Sequence, residues 1–524
     1  MKRNFTLSIL VVLSQIAFAQ YNPDWVVPAN DYFKTGSMAA IDSSNNLIIT
    51  GYRPGYSGAA HIYTRKFDPA GTLLWEQIDS AGVVWKFQKP RWVNTDSQNN
   101  IYITGYRYSG TSSEYVDSIV VIKYDPTGAL LWKKNIGHVW PSALPMRSEL
   151  DANGNLYIGT VSLSPGFNLI KLDSSGNVIF NVANASALNQ SFTSMRLKNN
   201  LIVMTSYAYN GSQVSVVAFD TSGAFLWGSL FPGRGGMDVE IDDNSNCYIL
   251  TQQSNQVGPA TQSDIQIFKF NSAGTLLNQY NYDFGGSHEV GTRMTLVNNK
   301  ISIIGWSIQS GNGYMDWITF QIDLNGTKLW DVRYDYMIPN DEKPSWITAT
   351  DNGDVYVSGQ GGPDTVGFNG SVYMRYVTVK YSNGVMQWVD ADPYQGYIGI
   401  VNVLDKNCGL YVLGEYAMTA IHYTDSCGTV STQELFIEEE SGLLTAYPNP
   451  VSTSTVLRFN LNEAGTTAIS VIDIAGREVK HIDGGITVVG MNEINLDLSE
   501  LNNEIYFCRM VSSSGSQVVK LVKQ

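Results

Sequence analysis

Residues able to do acid, base or nucleophilic chemistry are few and scattered in this chain. Its five histidines (His61, His138, His288, His422 and His481) include no two at metal-ligand spacing. There is no Gly-x-Ser-x-Gly elbow and no phosphate loop. Asp151-Ala-Asn-Gly-Asn155 has spaced oxygens that could face calcium, but it lacks an acidic twelfth-position ligand and reads as a hairpin turn. The sequence thus assigns no catalytic residue, metal or cofactor. A carboxylate pair assembled from distant segments stays open. The other candidates are the aromatics Trp85, Trp140, Tyr336 and Tyr394, whose types suit carbohydrate or protein contacts.

The elements that must position them come from a repeat. Its clearest copies are Asp68-Pro-Ala-Gly71-Thr-Leu-Leu-Trp75, Asp125 to Trp132, Asp220 to Trp227 and Asp323 to Trp330. Weaker copies place Gly176, Gly274, Gly384 and Gly428 in the same slot, and successive glycines lie 57, 48, 47, 51, 52, 58 and 44 residues apart. A period near fifty with β-type alternation implies a propeller of four-stranded blades. In each unit a first strand (A) meets an Asn/Gly-rich turn such as Asp96-Ser-Gln-Asn-Asn100, which suits a tight hairpin to strand B. Strand C, such as Ile119 to Tyr124, runs into the Asp-x-x-Gly turn, and strand D carries the Trp. A to D run from the axis outward.

Eight A–B hairpins are present, yet no Trp-bearing strand follows Gly428. Pro23-Asp-Trp25-Val-Val27 at the other end of the chain supplies one. Eight blades closed by that segment is the expected architecture. Seven blades, the alternative, would leave one unit with the exposed edges that proteins avoid. Cys408 falls in the A–B turn of the last unit and Cys427 in its C–D turn. These turns share one end of a meander, so a disulfide is geometrically reasonable in an oxidising compartment. Cys247 and Cys508 read as lone, buried thiols. The short A–B and C–D turns occupy one face. The variable B–C and D–A connections, which carry the four candidate aromatics, occupy the other, where ligands are expected.

A net charge of −14 and 15% charged residues argue against a nucleic-acid partner or an anionic membrane surface. Lys2 and Arg3, an apolar run from Leu7 to Ile16 and Ala17-Phe-Ala19 read as a signal peptide over 1–19. No membrane span is expected, and a monomer is. The propeller is expected over 20–430 and an acidic linker over 431–444. A module over 445–524 follows, whose short alternating strands suit a small Ig-like β-sandwich.

In that module Tyr447-Pro448-Asn449-Pro450, Phe459, the turn Asp473-Ile-Ala-Gly476-Arg477 and a Lys-bearing last strand resemble the type A sorting domain of the type IX, or Por, secretion system of Bacteroidetes-type bacteria. Asn503-Glu504 stand where that family usually shows Gly. The resemblance implies transport across the outer membrane by the type IX machinery, then release or anchoring at the surface. The first 430 residues resemble bacterial propeller repeats reading Lys-Tyr-Asp-x-x-Gly-x-x-x-Trp, as at Lys123 to Trp132. That resemblance implies the fold alone. Quinoprotein dehydrogenases and sialidases are near misses: there is no vicinal Cys pair, and Gly stands three residues after Asp rather than two.

Two functions are therefore carried forward. The first is a non-catalytic secreted or surface-attached protein binding a glycan, an adhesion target or another protein. The alternative is an extracellular enzyme, a polysaccharide hydrolase or lyase or a quinoprotein-like oxidoreductase. Carboxylates, arginines or tyrosines at the axial channel would favour the enzyme, and small apolar groups would favour binding.

Overall fold

The computed structural model describes residues 23–27, 35–54, 60–80, 86–109, 116–137, 146–161, 166–184, 190–208, 213–252, 263–285, 288–308, 314–335, 341–366, 372–390, 399–414, 418–425, 445–461, 465–473, 478–503, 505–512 and 515–524. These residues form strands and turns, with no helix among them. The chain divides into two compact units, Met1–Thr429 and Val430–Gln524.

In the first unit, four-stranded antiparallel meanders follow one another at 35–79, 86–137, 147–184, 190–232, 234–282, 288–334 and 343–390. A further meander has three strands within 399–423, and Trp25–Val27 takes its outer place. Trp25 pairs with His422, Val26 with Ile421 and Val27 with Ala420. Each inner strand packs beside the next, and Gly399–Leu404 packs against Thr35–Ile41, so the series of inner strands closes on itself.

The repeated residues explain this closure. At the third-to-fourth-strand turn of the second meander, Asp125 Oδ1 accepts the N–H groups of Thr127 (2.8 Å) and Ala129 (2.9 Å), and Gly128 adopts φ +89°. A Cβ at Gly128 would lie 2.8 Å from Trp75 of the preceding meander, so glycine is required both by the turn and by the docked indole. Trp75 Nε1 then donates to Pro126 O at 3.1 Å. Trp132 lies on Gly176 and Trp227 on Gly274 in the same way. Trp25 lies on Gly71, its Nε1 donating to Pro69 O at 3.1 Å. The strand at Trp25–Val27 therefore repeats, without a peptide link, the junction formed elsewhere between consecutive meanders.

The lysine of the third strand adds a second tie. Lys66 Nζ lies 2.8 Å from Asp42 of its own hairpin and donates to Pro126 O of the next meander at 3.1 Å. Burial opposes ionisation of Asp42, but bonds from Lys66, Asn46 and Ser44 outweigh it and hold the carboxyl below its ordinary value. Lys123 and Asp96 repeat the arrangement, with Lys123 reaching Ser174 O.

In the second unit, Thr445–Tyr447, Ser454–Leu461 and Gly490–Asp497 form one sheet. Glu478–Thr487, Gly465–Asp473, Ile505–Ser512 and Gly515–Val522 form the other. Leu457, Phe459 and Leu496 from the first share a buried cluster with Ile469, Val471, Met510 and Leu521 from the second.

Candidate functional site

The inner strands carry a recurrent irregularity. On six of them, among the described residues, the ladder to the second strand skips one residue, leaving Ser37, Arg91, Thr193, Thr292, Ser345 and Ile400 unpaired in register. Such bulges re-aim side chains, and they recur beside functional sites. The residues that follow are Met38, Trp92, Ser194, Arg293, Trp346 and Val401. Register places Arg147 and Asp238 at the same level in the other two meanders.

A cavity of about 540 Å³ opens at this level, a size usual for small-molecule sites. Skipped residues Ser37, Arg91, Thr193 and Ser345 line it together with Thr35 and Tyr52. One step deeper along the strands lie Met38, Trp92, Arg147, Arg293, Trp346 and Val401. Because inner strands begin at the D–A connections, the cavity lies toward the face of the long connections. No carboxylate, imidazole or thiol lines it among the described residues.

Its deeper layer is a stack of alternating charge and aromaticity. The Arg147 guanidinium lies 4.6 Å from the Trp92 ring centre, and Trp92 lies 6.0 Å from Trp346 at 42°. Arg293 lies 3.9 Å from the Trp346 ring centre. Two cations thus bracket two indoles, each favourable over the electron-rich ring face. Asp238 accepts from Ser194 Oγ (2.7 Å) and lies 3.5 Å from Arg147 Nη1. Two residues further along the strands, Arg196 lies 2.7 Å from Glu240 and 3.5 Å from Glu149, and Arg147 Nε is 3.1 Å from Glu149. Burial pushes the Glu149 carboxyl up to about 8, with Glu240 and Asp238 adding to the shift.

The other two arginines are held differently. Arg293 Nε donates to Ser345 O at 3.1 Å, and Arg91 Nη2 donates to Tyr106 Oη at 3.0 Å. Neither forms an ion pair among the described residues. Burial pulls Arg293 below its ordinary value, an effect that Asp238 counters and Arg196 reinforces.

Trp85, Trp140, Tyr336 and Tyr394 lie outside the described residues, as do Cys427, Gly476 and the signal segment. Cys408 is buried and disulfide-bonded, whereas Cys247 and Cys508 are buried free thiols. The Asp151 carboxylate is occupied by its own turn, accepting from Asn153 N, Asn155 N and Asn155 Nδ2 at 2.9, 2.9 and 2.7 Å. The sequence reading missed the axial stack. Aligning meanders on the turn would have found half of it, since Trp92 and Arg147, like Met38, Asp238 and Val401, stand four residues before the turn Asp, whereas Trp346 and Arg293 stand four before Thr350 and Val297. It also missed two carboxylate groups, Asp264, Asp283 and Glu289, and Asp316, Asp335 and Glu342, whose oxygens lie within 4.8 Å of one another. Their signal was the equal separation of the first two acids, 264 to 283 and 316 to 335.

In the second unit the exposed Tyr447-Pro-Asn-Pro450 segment anchors the last strand. Asn449 Nδ2 donates to Lys520 O (2.6 Å) and Asn449 Oδ1 accepts from Val522 N (2.9 Å). Val451 N donates to Val522 O at 2.8 Å, and Gln524 N to Val451 O at 2.9 Å.

Four-stranded meanders closed around an axial cavity define a β-propeller protein. Residues 445–524 match the secretion system C-terminal sorting domain family, so the propeller carries a type IX sorting tail and is exported to the cell surface or extracellular space. No curated protein matches the chain. Among solved structures it is similar to the Dos1 propeller (8% identity, 77% of this chain and 95% of that one, TM-score 0.48). It is also similar to the WD40 propeller domain of Doa1 (11% identity, 65% and 94%, TM-score 0.39). A protein from Bacteroides caccae is a third (14% identity, 54% and 93%, TM-score 0.32).

Among the described residues no helix is long and apolar enough to cross a membrane.

Proposed function

We propose that this chain is a non-catalytic binding protein, secreted or surface-attached, built on an eight-bladed propeller whose ligand enters the axial cavity from the face of the long connections. A signal peptide over 1–19, the propeller over 20–430, a linker over 431–444 and an Ig-like sorting domain over 445–524 complete the organisation. Cys427 is the proposed partner of Cys408, since the other two cysteines are free. Trp85, Trp140, Tyr336 and Tyr394 belong to connections on the cavity's side and are proposed to extend the site.

The observation that carries the reading is the cavity lining: its arginines, tryptophans and hydroxyls can serve as recognition groups, and among the described residues no carboxylate or imidazole stands beside them as general acid or base. The sequence criterion itself counts for the enzyme reading, because Arg91, Arg147, Arg293 and Tyr52 stand at the channel, and these are also groups that stabilise developing charge. Glycan-array binding by the exported chain, run beside a polysaccharide-degradation screen, separates the two. Binding without turnover is expected. Release of oligosaccharide by the wild type, lost on changing Tyr52 or Arg293, would replace binding by catalysis.

A further inference from the structure

The axial cavity has the opposite electrostatic character to its chain. The whole sequence carries −14, yet among the described residues three guanidiniums and no carboxylate line the cavity. Arg147 is committed to Asp238 and Glu149 at 3.5 and 3.1 Å. Arg91 and Arg293 have no such commitment among the described residues: each donates to one neutral oxygen and keeps other N–H groups for a guest. A guanidinium fork matches a carboxylate in two parallel hydrogen bonds. Hydroxyls of Ser37, Thr193, Ser345 and Tyr52 occupy the same lining. These groups donate and accept alike, as sugar alcohols do, whereas among the described residues the lining offers no carboxylate to pair with a charged amino group.

We propose, resting on the binding reading above, that the cavity receives a carboxylate-bearing sugar, a uronate of an acidic glycan. Arg91 and Arg293 hold the carboxylate and the hydroxyl side chains hold the ring alcohols. The Trp92–Trp346 stack forms the apolar floor, and Arg147 is a positioning residue that fixes Trp92.

The charge beneath the floor sets the pH response of the same site. Glu149 faces Arg147 and Arg196, with Glu240, Asp238 and Arg293 in the same cluster. Burial raises Glu149, so rising pH brings a negative charge under the anion later than an ordinary carboxylate would. Uronate affinity therefore falls as Glu149 ionises with rising pH, and binding is accompanied by proton uptake.

Titration calorimetry on the exported full-length chain tests this with a galacturonate disaccharide, its methyl ester, a neutral disaccharide and hippurate as a peptide-like acid. The expected result is binding of the galacturonate, weakened about tenfold or more by esterification and by Arg293→Gln or Arg91→Gln, the size of one lost charged hydrogen bond. Glu149→Gln should abolish the loss of affinity with rising pH. Equal binding of acid and ester overturns the uronate assignment but leaves a glycan-binding propeller standing, and so does a chain that binds array glycans and none of these probes. Hippurate binding in place of sugar overturns it in favour of a peptide terminus. Arg91 is exposed at the wall, so its variant tests the site without disturbing the stack. Unchanged galacturonate affinity in Arg91→Gln overturns the proposal and also removes the axial cavity as the binding site.

Discussion

Ring closure makes the sharpest test of the fold, and Trp25→Ala is the perturbation. Trp25 lies on the face of Gly71, stacks 5.5 Å from His422, and donates Nε1–H to Pro69 O at 3.1 Å. Truncating a fully buried Trp costs about 3–5 kcal/mol, and Trp25 is half-buried, so about 2 kcal/mol applies. The lost hydrogen bond brings the total to about 3 kcal/mol. Gly71→Ala attacks the same contact from below. Its Cβ would stand 2.7 Å from Trp25 Cδ2 at φ +82°, so backbone strain of about 1 kcal/mol adds to displacement of the indole, again about 3 kcal/mol in all. With the indole gone, the second change costs only its strain. The double variant should then lose about 4 kcal/mol rather than about 6, a coupling of about 2 kcal/mol.

The assay is a double-mutant cycle in urea, read by tryptophan fluorescence and by circular dichroism. Trp75→Ala with Gly128→Ala, the same junction made between covalently consecutive meanders, serves as reference. Strict additivity of Trp25→Ala and Gly71→Ala would refute the docking. Deleting residues 20–30 should lower the melting temperature and expose the Ala420–Tyr423 edge, seen as concentration-dependent aggregation. An unchanged melting temperature would show that the ring closes by other means.

Three other expectations follow from the same geometry. Removing residues 445–524 should leave folded propeller in the periplasm, and Asn449→Ala, which deletes both bonds to the last strand, should lower export; equal amounts of truncated and full-length chain outside the cell would defeat this. Reduction, or Cys427→Ser, should expose a new thiol at Cys408 to alkylation and lower stability by about 2–4 kcal/mol; mass spectrometry of the non-reduced chain decides the pairing. His422 is held below its ordinary value by burial, with Asp24 and Asp405 opposing the shift. The unfolded chain therefore takes the proton first, so stability should fall as pH drops below about 6.5 and His422→Gln should flatten that slope.

The repeat made the fold legible because the residues it conserves from unit to unit are those that touch the next unit. Gly128 and Trp75 must fit one another, as must Lys66 and Pro126 O, so the same types recur and can be read without coordinates. The role of Trp25 was legible for the same reason. The carboxyl-terminal strands were readable from alternation, whereas the tie of Asn449 to Lys520 and Val522 was not, since it spans the length of the module. The cavity was least legible. Arg147, Trp92, Trp346 and Arg293 come from four meanders, and no sequence window holds two from different strands. Variable connections drew attention to one side of the ring, whereas the groups brought together by the described residues are on the inner strands.

That division has a physical origin. A junction between meanders is repeated around the ring, and each copy must satisfy a similar docking geometry, which draws an aromatic ring onto the turn glycine: Trp in most copies, Phe180 on Gly223 and Tyr280 on Gly326. At the axial level the residues face one another rather than their sequence neighbours, so what must match is the set around the circle. Met38 and Val401 are apolar, Trp92 and Trp346 aromatic, Arg147 and Arg293 cationic, and Asp238 is the acid that Ser194 and Arg147 share. Such a set can be balanced only as a whole: Asp238 compensates Arg147 across Ser194, and Arg147 in turn fixes Trp92. A ring held by recurring contacts thus leaves one non-uniform layer at its axis, built on the inner strands, and there the proposed ligand would find its groups already in place.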